Sequence, residues 1–340
     1  MSSWLCDGLG VWGRWGNIEI SGDRMKWPRA AARNLATSAG LRLDKTSGQF
    51  RNWLTQGLTV FMFHEITDTP SQFQREARIY TLPLHFRQQV EWIHQRFTVI
   101  SPMQLPQFGG DVAALPKDAA LLTFDDAWSG ICKNGIPLLS EMGLPCIWFI
   151  NMATVVGDPD LAAVEAFESS RSIASTFEIR ELINVDEGER ILAEARKYGS
   201  DSDFLRFQGD PVTQAGLELI SGCEDVWFGS HLYHHWRLTH ITADLYEQSK
   251  AQNGTALSDF QNAIPALAVP YGLSDGIFPS FALNASRDMK IVFIATCKQN
   301  SRVDSWLLDR LYLPDHSVRE SDLWHATHRA RLLRQHNRSV

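Results

Sequence analysis

The chain is 340 residues long, which allows one sizeable hydrophobic core with smaller extensions. Hydrophobic residues make up 44% of it and charged residues 21%, as is ordinary for a soluble globular protein. The net charge of -7 argues against a nucleic-acid-binding protein, because such proteins usually carry a basic excess.

Residues 1–57 differ from the rest of the chain. They hold eight basic and four acidic residues, a net charge of +4, and five of the twelve tryptophans. We therefore treat 1–57 as an N-terminal extension, with two interpretations open. One is a peripheral contact with anionic lipid at the inner membrane face. The other is an extension packed on the outside of the main fold.

From residue 58 onward, apolar strands alternate with helices. Strands are predicted at 58–63, 97–100, 119–124, 145–150, 224–229, 266–269 and 290–295. Continuous apolar strands separated by helices indicate an α/β fold with a parallel sheet covered on both faces. Seven such units predict a barrel, whose chemistry belongs at the C-terminal ends of the strands. We place it at 58–318, followed by a C-terminal tail at 319–340.

Residues 153–210 interrupt this alternation. They are acidic and more polar than their surroundings, with one helical stretch. We interpret them as a helical insertion over one end of the barrel, which shapes a substrate groove.

The cysteines and the first residues of the chain indicate the cellular compartment of the protein. The five cysteines are an odd number with no CxxC spacing, which predicts free thiols in a reducing compartment. The start lacks the apolar stretch of a secretory signal, and no run reaches the roughly 18 apolar residues that span a bilayer. We therefore expect a cytoplasmic protein.

Two adjacent carboxylates, Asp125 and Asp126, end the apolar strand at 119–124. Such a pair is costly unless it is exposed, paired or bound to a cation. A solvated strand end with a helix-capping aspartate is the alternative.

Two histidines, His231 and His235, follow another predicted strand. Four residues apart on one helical turn, their imidazoles point the same way and can share a metal. Leu232 stands where the HExxH of metalloproteases requires glutamate. His234 points elsewhere on such a turn, and we assign it no ligand role. A lone HxxxH is often accidental, but the Asp-Asp strand end in the same fold favours a metal site.

A third motif, Pro270-Tyr271-Gly272, follows the strand at 266–269. It predicts a turn that offers a backbone N–H and an aromatic wall, although Pro-x-Gly turns are common.

Taken in order, Thr-Phe-Asp-Asp, His-x-x-x-His and Pro-Tyr-Gly resemble the NodB-homology polysaccharide deacetylases over about 58–318. The resemblance implies a distorted (β/α)7-type barrel in which Asp126, His231 and His235 hold zinc or another divalent transition metal. It also implies that Asp125 is the general base and that the backbone N–H of Tyr271 binds the oxyanion.

The chain departs from that family at two places near the motifs. Leu232 stands where members usually have serine or threonine. Ala268 stands where many have an arginine that orients the catalytic aspartate, so we expect Asp125 to be less firmly held.

The general acid has two candidates. The family's late Leu-x-His-Asp motif is matched poorly by Leu313-Pro314-Asp315-His316. Phe61-Met62-Phe63-His64-Glu65 resembles the first strand of circularly permuted members, such as the poly-N-acetylglucosamine deacetylases. We favour His64 over His316 as the acid; the alternative for His64 is a structural histidine at a strand end.

The resemblance implies a metal-dependent hydrolase that deacetylates an N-acetylated sugar in polysaccharide or glycoconjugate biosynthesis. The predicted location favours a lipid- or nucleotide-linked glycan precursor as substrate. The alternatives are a carbohydrate-binding or scaffold protein with a decayed site, and an amidohydrolase acting on a small non-sugar amide.

Overall fold

The computed structural model describes residues 57–161, 163–164, 209–272 and 279–334, together with the single residues 39 and 196. Almost all of the N-terminal extension and most of the insertion at 153–210 lie outside the described residues. The interpretations of these two segments therefore stay predictions.

The main strands in the described part of the chain lie where apolar runs predicted them. They are β1 (Thr59–Phe63), β2 (Glu65–Ile66), β3 (Tyr80–Thr81), β4 (Thr98–Val99), β5 (Ala119–Asp125), β6 (Cys146–Ile150), β7 (Val226–Ser230), β8 (Ala263–Ala268), β9 (Ile291–Ile294), β10 (Leu307–Asp309) and β11 (Leu311–Tyr312). The small β2–β3 pair stands apart from the main sheet.

Helices alternate with these strands. They are α1 (Gln72–Ala77), α2 (Pro83–Arg96), α3 (Ile136–Glu141), α4 (Met152–Val156), α5 (Gln214–Ser221), α6 (Ala243–Leu257), α7 (Ser280–Ala285) and α8 (Glu320–Arg334). A turn of π-helix, Ile131–Gly135, leads into α3.

The main sheet is a nearly closed barrel of parallel strands. Its order is β9-β8-β7-β6-β5-β1, and the segment 307–312 joins the two outer strands. β10 pairs with β9 and β11 pairs with β1, with only Arg310 between them. Counted as one interrupted strand, this segment is the seventh of the barrel. The predicted (β/α)7-type fold is confirmed.

One predicted barrel strand is replaced by another. β4, predicted at 97–100, pairs only with the first residues of β5 and lies off the main path. The segment 307–312 takes its place. The sequence does not predict this strand, because Asp309 and Arg310 interrupt its apolar run.

The interior of the barrel is filled by side chains on alternate positions of the strands. Val60, Leu121, Phe149, Phe293 and Leu308 belong to one buried cluster that contains no residue of the α-helices. Because side chains alternate along a strand, Asp125 and Arg310 share the inward-facing side with Leu121 and Leu308.

The outer faces of the strands pack against helices. Phe86, Val90 and Ile93 of α2 cover β1 and β5 within the largest buried cluster. The same cluster includes Leu323 and Trp324 of α8, so the segment predicted as a C-terminal tail begins with a packed helix. No helix in the described ranges is long and apolar enough to cross a membrane.

The thiols differ from the prediction in one position. Cys132, Cys146 and Cys223 are free, as expected. Cys297 is disulfide-bonded, so the prediction of a free thiol is wrong there. The predicted cytoplasmic location stays a prediction.

Candidate active site

The predicted site residues follow the C-terminal ends of the barrel strands. Asp125 is the last residue of β5 and Asp126 the next, His64 follows β1, and His231 follows β7. Tyr271 lies three residues after β8. All parallel strands of a barrel end on the same rim, which is how residues so distant in sequence meet.

Asp126, His231 and His235 form a compact cluster of ligand atoms. Oδ1 of Asp126 lies 3.6 Å from Nε2 of His231 and 3.2 Å from Nε2 of His235. One donor atom from each residue lies within 4.8 Å of the other two. Ligands about 2.0–2.2 Å from a tetrahedral zinc ion are about 3.3–3.6 Å apart, and the separations of 3.6 and 3.2 Å match that spacing to within about 0.1 Å.

Hydrogen bonds leave the correct atoms available for a cation. Nδ1 of His231 lies 2.9 Å from the carbonyl oxygen of Ala268, so that nitrogen carries the proton and Nε2 keeps its lone pair. Trp128 Nε1 donates to Oδ2 of Asp126 at 3.0 Å, which leaves Oδ1 facing the histidines. Burial lowers the pKa of His231 to about 4 and keeps the imidazole neutral. The donor set therefore fits a divalent cation.

Residues 231–235 form an irregular loop, so the predicted helical turn is wrong. Leu232 and His235 have left-handed backbone angles, with φ of 59° and 58°. Tertiary contacts hold the loop: His231 N–H donates to the carbonyl of Ile150, and the Asn253 amide donates to that carbonyl and to Ser230 Oγ. The two imidazoles converge because of these contacts, not because of helical spacing.

Asp125 is held by Arg310, contrary to the expectation that it is less firmly held. Arg310 donates to both carboxylate oxygens, at 2.5 and 2.7 Å, and both side chains are buried. Burial alone raises the pKa of Asp125, but the charge and hydrogen bonds of Arg310, with the nearby His231, outweigh it and hold the pKa at about 2. Asp125 is therefore an oriented, ionised carboxylate.

Arg310 is a functional residue that the sequence did not reveal. It lies 185 residues from Asp125 in the chain and comes from the unrecognised strand segment 307–312. The sequence does carry one sign of this role. A charged residue lies between the apolar pairs Leu307-Leu308 and Leu311-Tyr312. A buried charge in a strand is costly unless it is paired, so such a residue predicts a charged partner.

His64 lies at the site, and no described contact joins His316 to the residues of that site. His64 is buried, which lowers its pKa, and the carboxylates of Asp126 and Asp125 are near enough to act in the opposite direction. Its Nδ1 has no hydrogen-bond partner among the described residues. His316 is exposed in the turn after β11, next to Asp315, which binds His85.

Tyr271 borders the metal cluster. Its ring centroid is 4.5 Å from that of His235, and the guanidinium carbon of Arg237 lies 4.3 Å from the Tyr271 centroid. Its φ of 58° is a left-handed backbone angle, so the chain turns at Tyr271 and does not continue in the direction of β8. The oxyanion role of its N–H stays a prediction.

Comparison with known proteins places this fold. No protein-family model matches the sequence, and no curated protein matches it. Solved structures do. The deacetylase PplD of Streptococcus pyogenes, solved with acetate, is 15% identical, with a TM-score of 0.53 over 77% of this chain and 94% of that one. IcaB from Ammonifex degensii is 15% identical, with a TM-score of 0.51 over 80% and 97%.

A third neighbour is a de-N-acetylase from Aggregatibacter actinomycetemcomitans. It is 12% identical, with a TM-score of 0.53 over 78% of this chain and 97% of that one. The chain therefore has the fold of the polysaccharide deacetylases, as its motifs predicted.

Proposed function

We propose that this protein is a metal-dependent hydrolase that removes the acetyl group from an N-acetylated sugar. The observation that carries the proposal is the convergence of Asp126, His231 and His235 beside an ionised, oriented Asp125. This arrangement lies on the rim where barrel enzymes place their chemistry, in a fold shared with proteins described as deacetylases.

Asp126, His231 and His235 are the residues that would hold the cation, with zinc our first choice for two imidazoles and one carboxylate. Held by these three residues, a zinc ion would polarise the acyl carbonyl and would lower the pKa of water.

Asp125 is suited to accept a proton from the attacking water. It is ionised at neutral pH, and Arg310 fixes both of its oxygens, so the base is oriented before substrate arrives. We assign proton delivery to the departing amine nitrogen to His64. His64 must be protonated to act as the acid, and the carboxylates of Asp126 and Asp125 favour its charged form against the effect of burial. Asp125 takes one proton from water and His64 gives one to the amine nitrogen, so the C–N bond breaks to give acetic acid, which ionises to acetate, and a free amine. Transfer of the proton from Asp125 to His64 restores both groups. The Tyr271 N–H is assigned to the developing oxyanion.

The finer parts of the proposal rest on sequence. These are a role in polysaccharide or glycoconjugate biosynthesis, a lipid- or nucleotide-linked precursor as substrate, and membrane contact through residues 1–57. The neighbours described as a deacetylase and a de-N-acetylase support removal of an acetyl group by analogy of fold alone, and the sugar substrate rests on the motifs.

A decayed, purely sugar-binding protein is the weaker interpretation. Binding sugar does not require a buried ion pair between Asp125 and Arg310. Nor does it require the hydrogen bonds that hold His231 Nε2 and Asp126 Oδ1 facing each other. Such groups are costly to keep buried without a role.

The test is acetate release from N-acetylglucosamine and its oligomers by zinc-loaded protein. We expect activity that chelation abolishes and zinc restores. Asp126→Ala should lose activity together with the zinc ion of the Asp126, His231 and His235 cluster, whereas Asp125→Asn should lose activity and keep that ion. Asp315→Asn is a matched control carboxylate outside the site and should change neither.

Two outcomes contradict the proposal. Zinc-loaded protein that releases no acetate from sugars but hydrolyses small acetamides would favour the non-sugar amidohydrolase. Wild-type protein that binds no zinc would favour the binding or scaffold protein.

A further inference from the structure

His234, the neighbour of the ligand His235, faces a second group of carboxylates. Its Nε2 lies 3.3 Å from Oδ1 of Asp158, and Asp160 completes the group. One donor atom from each of these three residues lies within 4.8 Å of the others. None of the three belongs to the Asp126 cluster.

The imidazole of His234 points to a missing ligand. Its side chain is more than nine-tenths buried, with 9% of its surface exposed. Nε2 contacts the Asp158 carboxylate as an ion pair, but the geometry of this contact falls short of a regular hydrogen bond in the described structure. Buried polar atoms in native proteins are almost always satisfied by a protein group, a water or an ion. The Nε2–Oδ1 separation of 3.3 Å from Asp158 is similar to that between two ligands of one zinc ion.

The two carboxylates are held in place by their surroundings. The backbone N–H of Asp160 donates to Oδ1 of Asp158 at 2.8 Å. Arg196 donates to both oxygens of Asp160, at 2.8 and 2.7 Å. One guanidinium against two carboxylates leaves the group with net negative charge, and each carboxylate oxygen has a further lone pair to offer.

We propose that Asp158, Asp160 and His234 form a second divalent-cation site. One imidazole nitrogen and two carboxylate oxygens suit zinc better than calcium or magnesium, which prefer all-oxygen ligands. Water completes the coordination.

The second cation joins two segments that meet only through tertiary structure. Asp158 and Asp160 follow α4, on the chain leaving β6, whereas His234 belongs to the loop after β7. The cation therefore restrains the backbone immediately before His235, whose φ of 58° is unfavourable for a side-chain-bearing residue. Its role is structural, and it does not depend on the proposed deacetylation.

The test is the zinc content of the full-length protein after equilibration with zinc and removal of free metal. We expect two zinc ions per wild-type chain and one in Asp126→Ala, which disables the first cluster. Adding His234→Gln to Asp126→Ala should remove the remaining ion. Adding His85→Gln instead should leave it, because the ion pair of His85 among the described residues is with a single carboxylate, that of Asp315.

Folding is checked by the thermal melt of each variant. If His234→Gln does not fold, Asp160→Asn, a partly exposed position, replaces it with the same expectation. The proposal is overturned if Asp126→Ala binds no zinc, or if its remaining zinc survives both second-site substitutions. Because this readout is metal content in an Asp126→Ala background, it is independent of whether the protein deacetylates anything.

Discussion

Replacing Arg310 with methionine should destabilise the protein strongly. The guanidinium is fully buried and carries both hydrogen bonds of the buried Asp125 carboxylate. Removing one member of a buried ion pair leaves the other charge uncompensated, at a cost of about 3–5 kcal/mol. For a domain of about 150–250 residues, each kcal/mol corresponds to about 2–4 °C in Tm, so we expect a fall of about 6–20 °C.

The pH dependence of Tm gives the prediction a definite sign. In the wild type the pKa of Asp125 is about 2, below its ordinary value, so the pair's contribution is complete above about pH 4 and is lost as the pH falls toward 2. Without Arg310, burial raises that pKa instead, and the folded state becomes less stable as the pH rises. The difference in Tm between wild type and Arg310→Met should therefore be larger at pH 7 than at pH 4.

The assay is thermal unfolding followed by circular dichroism, in chelator so that bound metal does not contribute. The double variant Arg310→Met/Asp125→Leu should recover most of the loss, because no charge is left buried. Arg302→Met, which removes the exposed partner of Asp304, should change Tm little. A Tm for Arg310→Met equal to that of the wild type, or no recovery in the double variant, would refute the reasoning.

Four further predictions follow from contacts near the site. Burial raises the pKa of Glu65 to about 8, so the contribution of Glu65 to stability is complete below about pH 4.5 and is lost as the pH rises through 8. Melts across pH 5–9 should show a fall in Tm that is smaller in Glu65→Gln than in the wild type. Gly130→Ala should lower Tm, because a Cβ at position 130 collides with the Glu65 carboxylate and the Ile66 carbonyl. Gly254→Ala, in open space on α6, should stabilise the protein by about 0.4–1 kcal/mol. A higher Tm for Gly130→Ala than for Gly254→Ala would contradict this packing. Trp128→Phe removes the hydrogen bond to Asp126 and should weaken zinc binding by about 10–100-fold in a competitive chelator titration. His64→Gln should lower kcat by about 10²–10⁴-fold with unchanged zinc content; loss of zinc together with activity would instead show that His64 supports the metal cluster.

Local sequence was enough to predict most of the barrel. β5 reads Ala-Ala-Leu-Leu-Thr-Phe-Asp with every residue buried, and β6 reads Cys-Ile-Trp-Phe-Ile with the same pattern. Such runs are apolar at nearly every position, with no alternation of polar residues. This composition predicts a strand that is buried on both faces of the sheet. The segment 307–312 has no such run, because its central Asp309 and Arg310 are polar, and only pairing with β9 and β1 makes it a strand.

The order of motifs was likewise enough to predict which side chains gather. Asp125 and Asp126 end a buried strand, and His231 follows another, so the shared rim of a parallel barrel brings them together. What holds them in place is not local. The loop at 231–235 depends on Asn253 and Ile150, and no spacing rule for histidines describes its backbone.

Sequence by itself therefore determined six of the seven barrel strands and the rim on which the motif residues meet, because burial and alternation are encoded within a few neighbouring positions. Tertiary structure alone decided that Arg310 compensates for the absence of arginine at position 268, and that His234 faces Asp158 rather than solvent. Both contacts join segments far apart in the chain. The partner of a buried charge is whichever distant segment the fold brings next to it. A local sequence pattern contains no information about that segment.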